Sequence, residues 1–235
     1  MNQVFIGYDA RERLAWNICA ASLQSRASIP LTVAPISRPM LEQAGLYSRP
    51  HRDAHWDDIS NAPCSTDFSL ARFWTPRLAG ASGWALFVDG DFLFRRDVHE
   101  LFSLADPSKA VMLVPHQYAP EETIKMDGQQ QTVYPRKNWS SLVLWNLAHM
   151  GARRLDYQRL NTMTGRDLHG FAWLDDSEIG FLPEEWNWLD GHSSRELDPA
   201  AVHFTRGTPD MPGWEWTRYA HEWHQYAQGF KGLIK

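Results

Sequence analysis

Only two cysteines, Cys19 and Cys64, occur in 235 residues. That number excludes a disulfide framework and a thiolate metal site, and both side chains read as reduced thiols of a cytosolic protein. No apolar run approaches the roughly 18 residues that a membrane span needs. The first apolar segment, Val4-Phe5-Ile6, has no basic n-region ahead of it, so no secretory signal is expected. Without secretion, the Asn138-Trp139-Ser140 sequon carries no meaning. Long basic stretches are also missing and the formal net charge is −5, which argues against nucleic acid as a partner. The expected location is the cytoplasm, either free or peripheral to the inner face of a membrane. Repeats, low-complexity segments and linkers are absent as well, and the length suits one domain, residues 1–235, with a substantial core.

Tryptophan, by contrast, is abundant, with twelve in the chain. Trp186, Trp188, Trp214, Trp216 and Trp223 crowd the last fifty residues. Such faces can stack on sugar rings, although most large aromatics fill cores. Gln3 to Tyr8 reads as a buried strand, Arg11 to Gln24 as a helix with Leu14, Ile18 and Ala21 on one stripe, and Leu31 to Ile36 as a second strand. The opening is therefore a β-α-β unit. Residues 37–64 show no period and read as an irregular excursion. A helix capped by Ser65 or Thr66 is expected to run toward Leu78, with Leu70, Phe73 and Trp74 inward. Strands follow at Trp84 to Val88, Ala110 to Val114, Ser140 to Trp145 and Ala201 to Thr205, with a short helix near Val98 to Leu104. The segment from Leu155 is mostly helical, and a tight turn is expected at residues 183–187. From Trp214 onward, Trp216, Tyr219, Ala220, Trp223, Ala227 and Phe230 fall at helical spacing, as a packing face. This is an α/β domain with a mixed central sheet flanked by helices.

The densest chemical signal is Asp89-Gly90-Asp91, which follows the apolar run Ala85-Leu86-Phe87-Val88 directly. In an extended backbone residues i and i+2 point the same way, so both carboxylates can meet one cation. Burying two unpaired carboxylates beside such a run is costly, and a hard divalent ion such as Mn²⁺ or Mg²⁺ removes that cost. A polar turn ending a strand is the plainer alternative, since Asp-Gly is a common turn pair. Open α/β sheets bind ligands at the carboxyl ends of their strands. Three such ends carry polar groups: Tyr8-Asp9, Asp89-Gly90-Asp91 and His203. If they converge, Asp89, Asp91 and His203 make an O/O/N site, and the imidazole favours Mn²⁺ over Mg²⁺.

Taken in order, five segments resemble the retaining glycosyltransferases of the GT-A fold, specifically glycosyltransferase family 8, the glycogenin and bacterial galactosyltransferase type. Val4-Phe5-Ile6-Gly7-Tyr8-Asp9 resembles the first strand, whose end holds the nucleotide base. Ser69-Leu70-Ala71-Arg72-Phe73 resembles the helix before the DxD strand, where an arginine lies by the nucleotide. Phe87-Val88-Asp89-Gly90-Asp91 resembles the DxD, and Leu182-Pro183-Glu184-Glu185-Trp186-Asn187 resembles a segment near the acceptor side. His203-Phe204-Thr205-Arg206-Gly207 with Pro212-Gly213-Trp214 resembles the C-terminal metal histidine and its diphosphate loop. The resemblance implies a single GT-A, Rossmann-like domain with a nucleotide-sugar half over residues 1–115. Residues 116–235 would then supply the acceptor side and the metal histidine. It implies transfer of a hexose from a nucleotide-diphosphate sugar, a UDP-sugar first of all, with retention, to a glycan, lipid or small-molecule acceptor. The implied metal ligands are Asp89, Asp91 and His203. Tyr8, Asp9, Arg72, Gly90, Arg206 and Gly207 would face the nucleotide sugar, and Asp176, with Asp175 next, would stand near the anomeric carbon. Near a helix start, that acidic pair is equally explained by the helix dipole.

Two departures stand out. Asp210-Met211-Pro212-Gly213-Trp214 lacks the lysine that the family places before Pro-Trp to hold the diphosphate, which leaves Arg206 as its substitute. Asn138-Trp139-Ser140-Ser141-Leu142 lacks the glycine of the family's Asn-x-Gly segment. Rival readings exist. A haloacid dehalogenase-type phosphatase would use Asp89 as nucleophile and Asp91 as acid/base, but its motif normally lies on the first strand, and Leu93 stands where a hydroxyl or small β-branched residue is usual. The others are a non-catalytic nucleotide-sugar-binding module and a nucleotidyltransferase.

Overall fold

The computed structural model describes residues 2–116, 136 and 138–233. It opens with β1 (Asn2–Gly7), a 3-10 turn, α1 (Arg13–Arg26) and β2 (Leu31–Ile36), the β-α-β unit expected. The two strands are parallel from Asn2↔Leu31 to Gly7↔Ile36. Alternation along β1 sends Phe5 to one core and Val4 and Ile6 to another, so both faces of the sheet are covered. In α1, Leu14 and Ile18 are buried and Ala21 is half-buried.

Residues 37–64 are more ordered than their lack of period suggested. They hold α2 (Arg38–Gln43) and a two-strand ladder, β3 (Trp56–Asp57) with β4 (Ala62–Pro63). The order comes from a buried ion pair, which leaves no apolar period to read. Arg49 donates to both carboxylate oxygens of Asp57, at 2.9 and 2.7 Å, and to the carbonyls of Leu160 and Met163, at 2.9 and 2.8 Å.

The helix expected from Ser65 or Thr66 to Leu78 is corrected to a turn, a 3-10 segment Ala71–Trp74 and α3 (Thr75–Leu78). Pro76 has no N–H for the carbonyl of Arg72, and the Thr75 hydroxyl donates to that carbonyl instead, at 2.8 Å. Leu70, Phe73 and Trp74 are buried as expected.

Then come β5 (Trp84–Val88), β6 (Phe92–Phe94), α4 (Val98–Ser103), β7 (Val111–Leu113) and β8 (Leu142–Asn146). Three short helices follow, α5 (Met150–Arg153), α6 (Tyr157–Thr162) and α7 (Gly165–His169). The chain closes with β9 (Ile179–Phe181), β10 (Trp188–Leu189), β11 (Ala201–His203) and α8 (Ala220–Ala227). Here too the tail differs from expectation. Tyr219 takes a left-handed φ of 69° and the helix begins only after it, so Trp216 is left 94% exposed. Trp223 and Ala227 do pack inward, against Leu14 and Ile18 of α1.

The main sheet has the order β2-β1-β5-β8-β7-β9, and a smaller one the order β10-β11-β6. β1 lies between β2 and β5, parallel to both, so the chain leaves it first to one side and later to the other. That reversal is a topological switch point, where the carboxyl ends of adjacent strands open a crevice. Ile6 lies opposite Val88 at those ends, which brings Tyr8-Asp9 near Asp89-Gly90-Asp91. A Cβ on Gly90 would stand 2.6 Å from the carbonyl oxygen of Gly7. Gly90→Ala is therefore expected to cost about 1–3 kcal/mol through overpacking. A thermal melt unchanged from the parent would mean the two strand ends are not locked together. Among the described residues no helix is long and apolar enough to cross a membrane.

Candidate metal centre

Asp89 and Asp91 leave the end of β5 and return as β6, whose register pairs Phe92 with His203 of β11. The amide of Phe204 donates to the carbonyl of Asp91 at 3.1 Å, and the amide of Asp89 donates to the carbonyl of Ser141 at 2.9 Å. Backbone pairing thus places two carboxylates and an imidazole together. One ligand atom from each of Asp89, Asp91 and His203 lies within 4.8 Å of the others. His203 Nε2 is 3.3 Å from Asp91 Oδ1, and the imidazole stacks on Phe92 with ring centroids 4.4 Å apart.

The other imidazole nitrogen is taken. His203 Nδ1 lies 3.0 Å from Asn187 Oδ1, and Asn187 Nδ2 donates to Ser141 Oγ at 2.8 Å. Ser141 Oγ donates in turn to the carbonyl of Asn138 at 2.7 Å. In the neutral imidazole this one-way chain assigns the proton to Nδ1 and leaves Nε2 as a lone pair facing the carboxylates. Asn187 is fully buried, and its place beside the histidine was not read from the Leu182–Asn187 motif. Asn187→Ala is expected to weaken Mn²⁺ binding about 10–100-fold, as outer-shell partners of metal ligands do. Titration calorimetry checks it, and an unchanged affinity would remove Asn187 from this role.

The site is electrostatically unfinished. Burial pushes Asp89 up to about 6, against the attraction of Arg72 and with the help of Asp91. Burial also lifts Asp91, but the attraction of His203, when its imidazole is charged, more than offsets it and holds Asp91 below its usual value. Asp89 Oδ1 and Asp91 Oδ1 are buried without a hydrogen bond from the described residues. Arg72 Nη1 does come within 2.8 Å of Asp89 Oδ1, though without hydrogen-bond alignment. Buried carboxylate oxygens left this way are suited to a divalent cation, and the O/O/N donor set fits one. Glu12, three residues after Asp9, joins the same field. Burial, then the carboxylates of Asp91, Asp9 and Asp89, push it up to about 8. Its only sequence signal was that proximity to Asp9.

The other residues expected to act here have varied settings. Tyr8 meets Trp16 edge-on, with centroids 6.0 Å apart. Asp9 is buried and bound by Arg11 and by the amide of Asp67. Arg72 also donates to the carbonyls of Ser69 and Ser140, so it is tied to the protein beside Asp89. Gly207 lies against the indole of Trp214. The Arg206 guanidinium covers that indole at 4.5 Å and faces a neighbouring cavity. Asp175 stands at the N-terminus of a 3-10 turn, its amide bonded to Glu178, and Asp176 pairs with Arg136. Neither belongs to the three-residue group, and the Asp176 side chain is 86% exposed. His169 bonds Ser140 Oγ through Nδ1 at 2.7 Å and packs edge-on against Phe73.

No protein-family model matches the chain. Protein CDI of Arabidopsis thaliana is 45% identical over 226 residues, covering 94% of this chain and 84% of that protein. The chain belongs to the Protein CDI family. Solved structures give this member of the Protein CDI family its fold. The glycosyltransferase GlyE of Streptococcus pneumoniae TIGR4 superposes with a TM-score of 0.61 at 13% identity, covering all of this chain and 65% of that one. The galactosyltransferase LgtC, solved with donor and acceptor sugar analogues, gives 0.57 at 14% identity, covering 97% and 96%. The bifunctional glycosyltransferase WbbM gives 0.64 at 14%, covering 96% of this chain and 49% of that one. The chain thus spans about two thirds of the length of GlyE and half that of WbbM. The fold is GT-A, a mixed α/β sheet flanked by helices.

Proposed function

We propose that this protein is a divalent-metal-dependent glycosyltransferase of the family 8 type, moving a hexose from a UDP-sugar to an acceptor with retention. The observation that carries the reading is the Asp89–Asp91–His203 group at the switch point of a GT-A sheet. In this reading Asp89, Asp91 and His203 hold Mn²⁺, or Mg²⁺. When bound, the ion neutralises the charge that develops on the diphosphate as the anomeric bond breaks. The chain's own groups do the rest. Asn187 fixes the imidazole tautomer, and Arg72 supplies a fixed positive charge beside Asp89. Tyr8 and Asp9 border the nucleotide, and Gly90 lets the Asp89–Asp91 turn approach the end of β1. Arg206 and Gly207 belong to the loop on the phosphate side. Residues 1–115 form the donor half and residues 116–235 the acceptor half with the metal histidine. Asp176, with Asp175 as second candidate, is assigned to the acceptor side near the anomeric carbon.

Thermal shift with UDP, GDP and p-nitrophenyl phosphate, each with and without Mn²⁺, tests this. Stabilisation by a nucleoside diphosphate only with Mn²⁺, lost in Asp91→Ala, is the expected result. Hydrolysis of p-nitrophenyl phosphate with no response to nucleotide would sink the reading in favour of a phosphatase. Binding with neither transfer nor slow hydrolysis of any nucleotide sugar would reduce the protein to a binding module.

A further inference from the structure

Beside the metal centre lies a second concavity, a cavity of about 350 Å³ between the turn after β10 and the loop after β11. Asp89, Asp91 and His203 do not line it; Arg195, Arg206, Arg218 and Asp190 do, with Trp214 and Trp216 among its aromatic walls. Three guanidinium groups against one carboxylate leave the lining with an excess of positive charge.

Each arginine is placed differently. The Arg206 guanidinium lies against Gly191, where a Cβ would stand 2.5 Å from its Cζ, and over the Trp214 ring. Its Nε is buried and makes no hydrogen bond to the described residues, and a buried guanidinium N–H left unpaired is costly. The attraction of Arg206 and Arg195 only partly counters the burial that raises Asp190. Arg218 packs over Trp188 and Tyr219, at 5.5 and 5.0 Å, and donates to the carbonyl of Arg195 at 2.5 Å. That contact ties two of the cations to each other's chain segments. Trp216, 94% exposed at this cavity, is a flat apolar face with nothing stacked on it among the described residues. Guanidinium groups beside a free indole face suit a ring that carries an oxyanion.

We infer that this cavity is a subsite for an anionic sugar, one bearing a phosphate or a carboxylate, and that it selects the acceptor. The inference rests on the transferase reading and supplies the acceptor's chemical class. The oxyanion pairs with Arg195 and Arg218 while the ring stacks on Trp216; Arg206, its Nε buried against Gly191 and Trp214, stays with the phosphate side. Because the cavity excludes the metal ligands, its occupancy does not need Mn²⁺.

Tryptophan fluorescence titration of the full chain with glucose 6-phosphate, glucuronate and glucose, in EDTA and in Mn²⁺, tests the inference, with UDP and Mn²⁺ titrated in parallel. Saturable binding of either anionic sugar in EDTA is expected, retained in Asp91→Ala, with glucose at least about tenfold weaker. Which of the two binds separates a phosphate from a carboxylate as the group recognised. Arg195→Gln, at an exposed position, and Arg218→Gln should each weaken the anionic sugar about tenfold or more and leave UDP–Mn²⁺ binding within about twofold. Melting curves show whether each variant is folded, and Arg195→Gln serves alone if Arg218→Gln is not. Three results would overturn it: glucose binding as well as its charged counterparts, no anionic sugar binding, or anionic-sugar binding that needs Mn²⁺ or is lost in Asp91→Ala. The last would make the cavity part of the donor's diphosphate site. Absence of UDP–Mn²⁺ binding in the parent would instead defeat the transferase reading, independently of the sugar arms.

Discussion

Asp89→Asn is expected to abolish Mn²⁺-dependent stabilisation by UDP and, above pH 6, to raise the melting temperature of the metal-free protein. Asp89 stands at about 6 in the folded chain against an ordinary value of 3.8. Above both values the carboxylate is ionised in both states, and the folded state carries a penalty on the order of 3 kcal/mol. As the pH falls from about 6 toward 4, the folded state takes up the proton first and the penalty fades. The metal-free parent should therefore gain stability on mild acidification, and the asparagine variant should lack that component. Metal affinity runs the other way and falls as the pH drops through 6, because the ion competes with the proton. Transfer should fall about a thousandfold or more when a ligand is removed, on the scale of several kcal/mol that such an ion supplies. Melting curves in EDTA between pH 4 and 8, with UDP and Mn²⁺ added in parallel, check both halves. A variant less stable than the parent at pH 7.5 in EDTA would show that Asp89 is not a strained group.

The second large effect concerns Arg49, which is not part of the Asp89–Asp91–His203 group. Its guanidinium has no solvent exposure, and Asp57 is 2% exposed. Arg49→Ala leaves the Asp57 carboxylate buried with, among the described residues, Ser60 alone donating to it, and strips two carbonyls, those of Leu160 and Met163, of the Arg49 donor. Breaking such a buried pair from one side costs about 3–5 kcal/mol. For a chain of this length that lowers the melting temperature by roughly 10 °C. Arg49→Ala with Asp57→Leu should recover part of the loss, since the stranded charge is then gone. A double variant no better than Arg49→Ala would assign the loss to the two carbonyls.

Asp89, Asp91 and His203 were readable because each follows an apolar strand, and strand ends are where periodicity is informative. The β-α-β opening was readable for the same reason. Asn187 was not, because its role depends on β10 and β11 lying side by side, a pairing with no local signature. Arg49 lay in a stretch without period, and its partners at residues 57, 160 and 163 are brought together only by the tertiary fold. Arg72 was expected beside the nucleotide, and the structure places it against Asp89 and the carbonyls of Ser69 and Ser140. The expected helix around it is broken at Pro76, whose missing N–H is visible in the sequence.

The bond from the Phe204 amide to the Asp91 carbonyl has a consequence for how the ion comes and goes. The two chain segments that would supply the ligands are already stitched into one ladder, so the loop between them is closed by the fold and would not need the cation to close it. Chelation should then leave the architecture standing, with far-ultraviolet circular dichroism unchanged. In the transferase reading, metal exchange would be a local event, set by solvent access to two carboxylates and an imidazole, and would need no refolding.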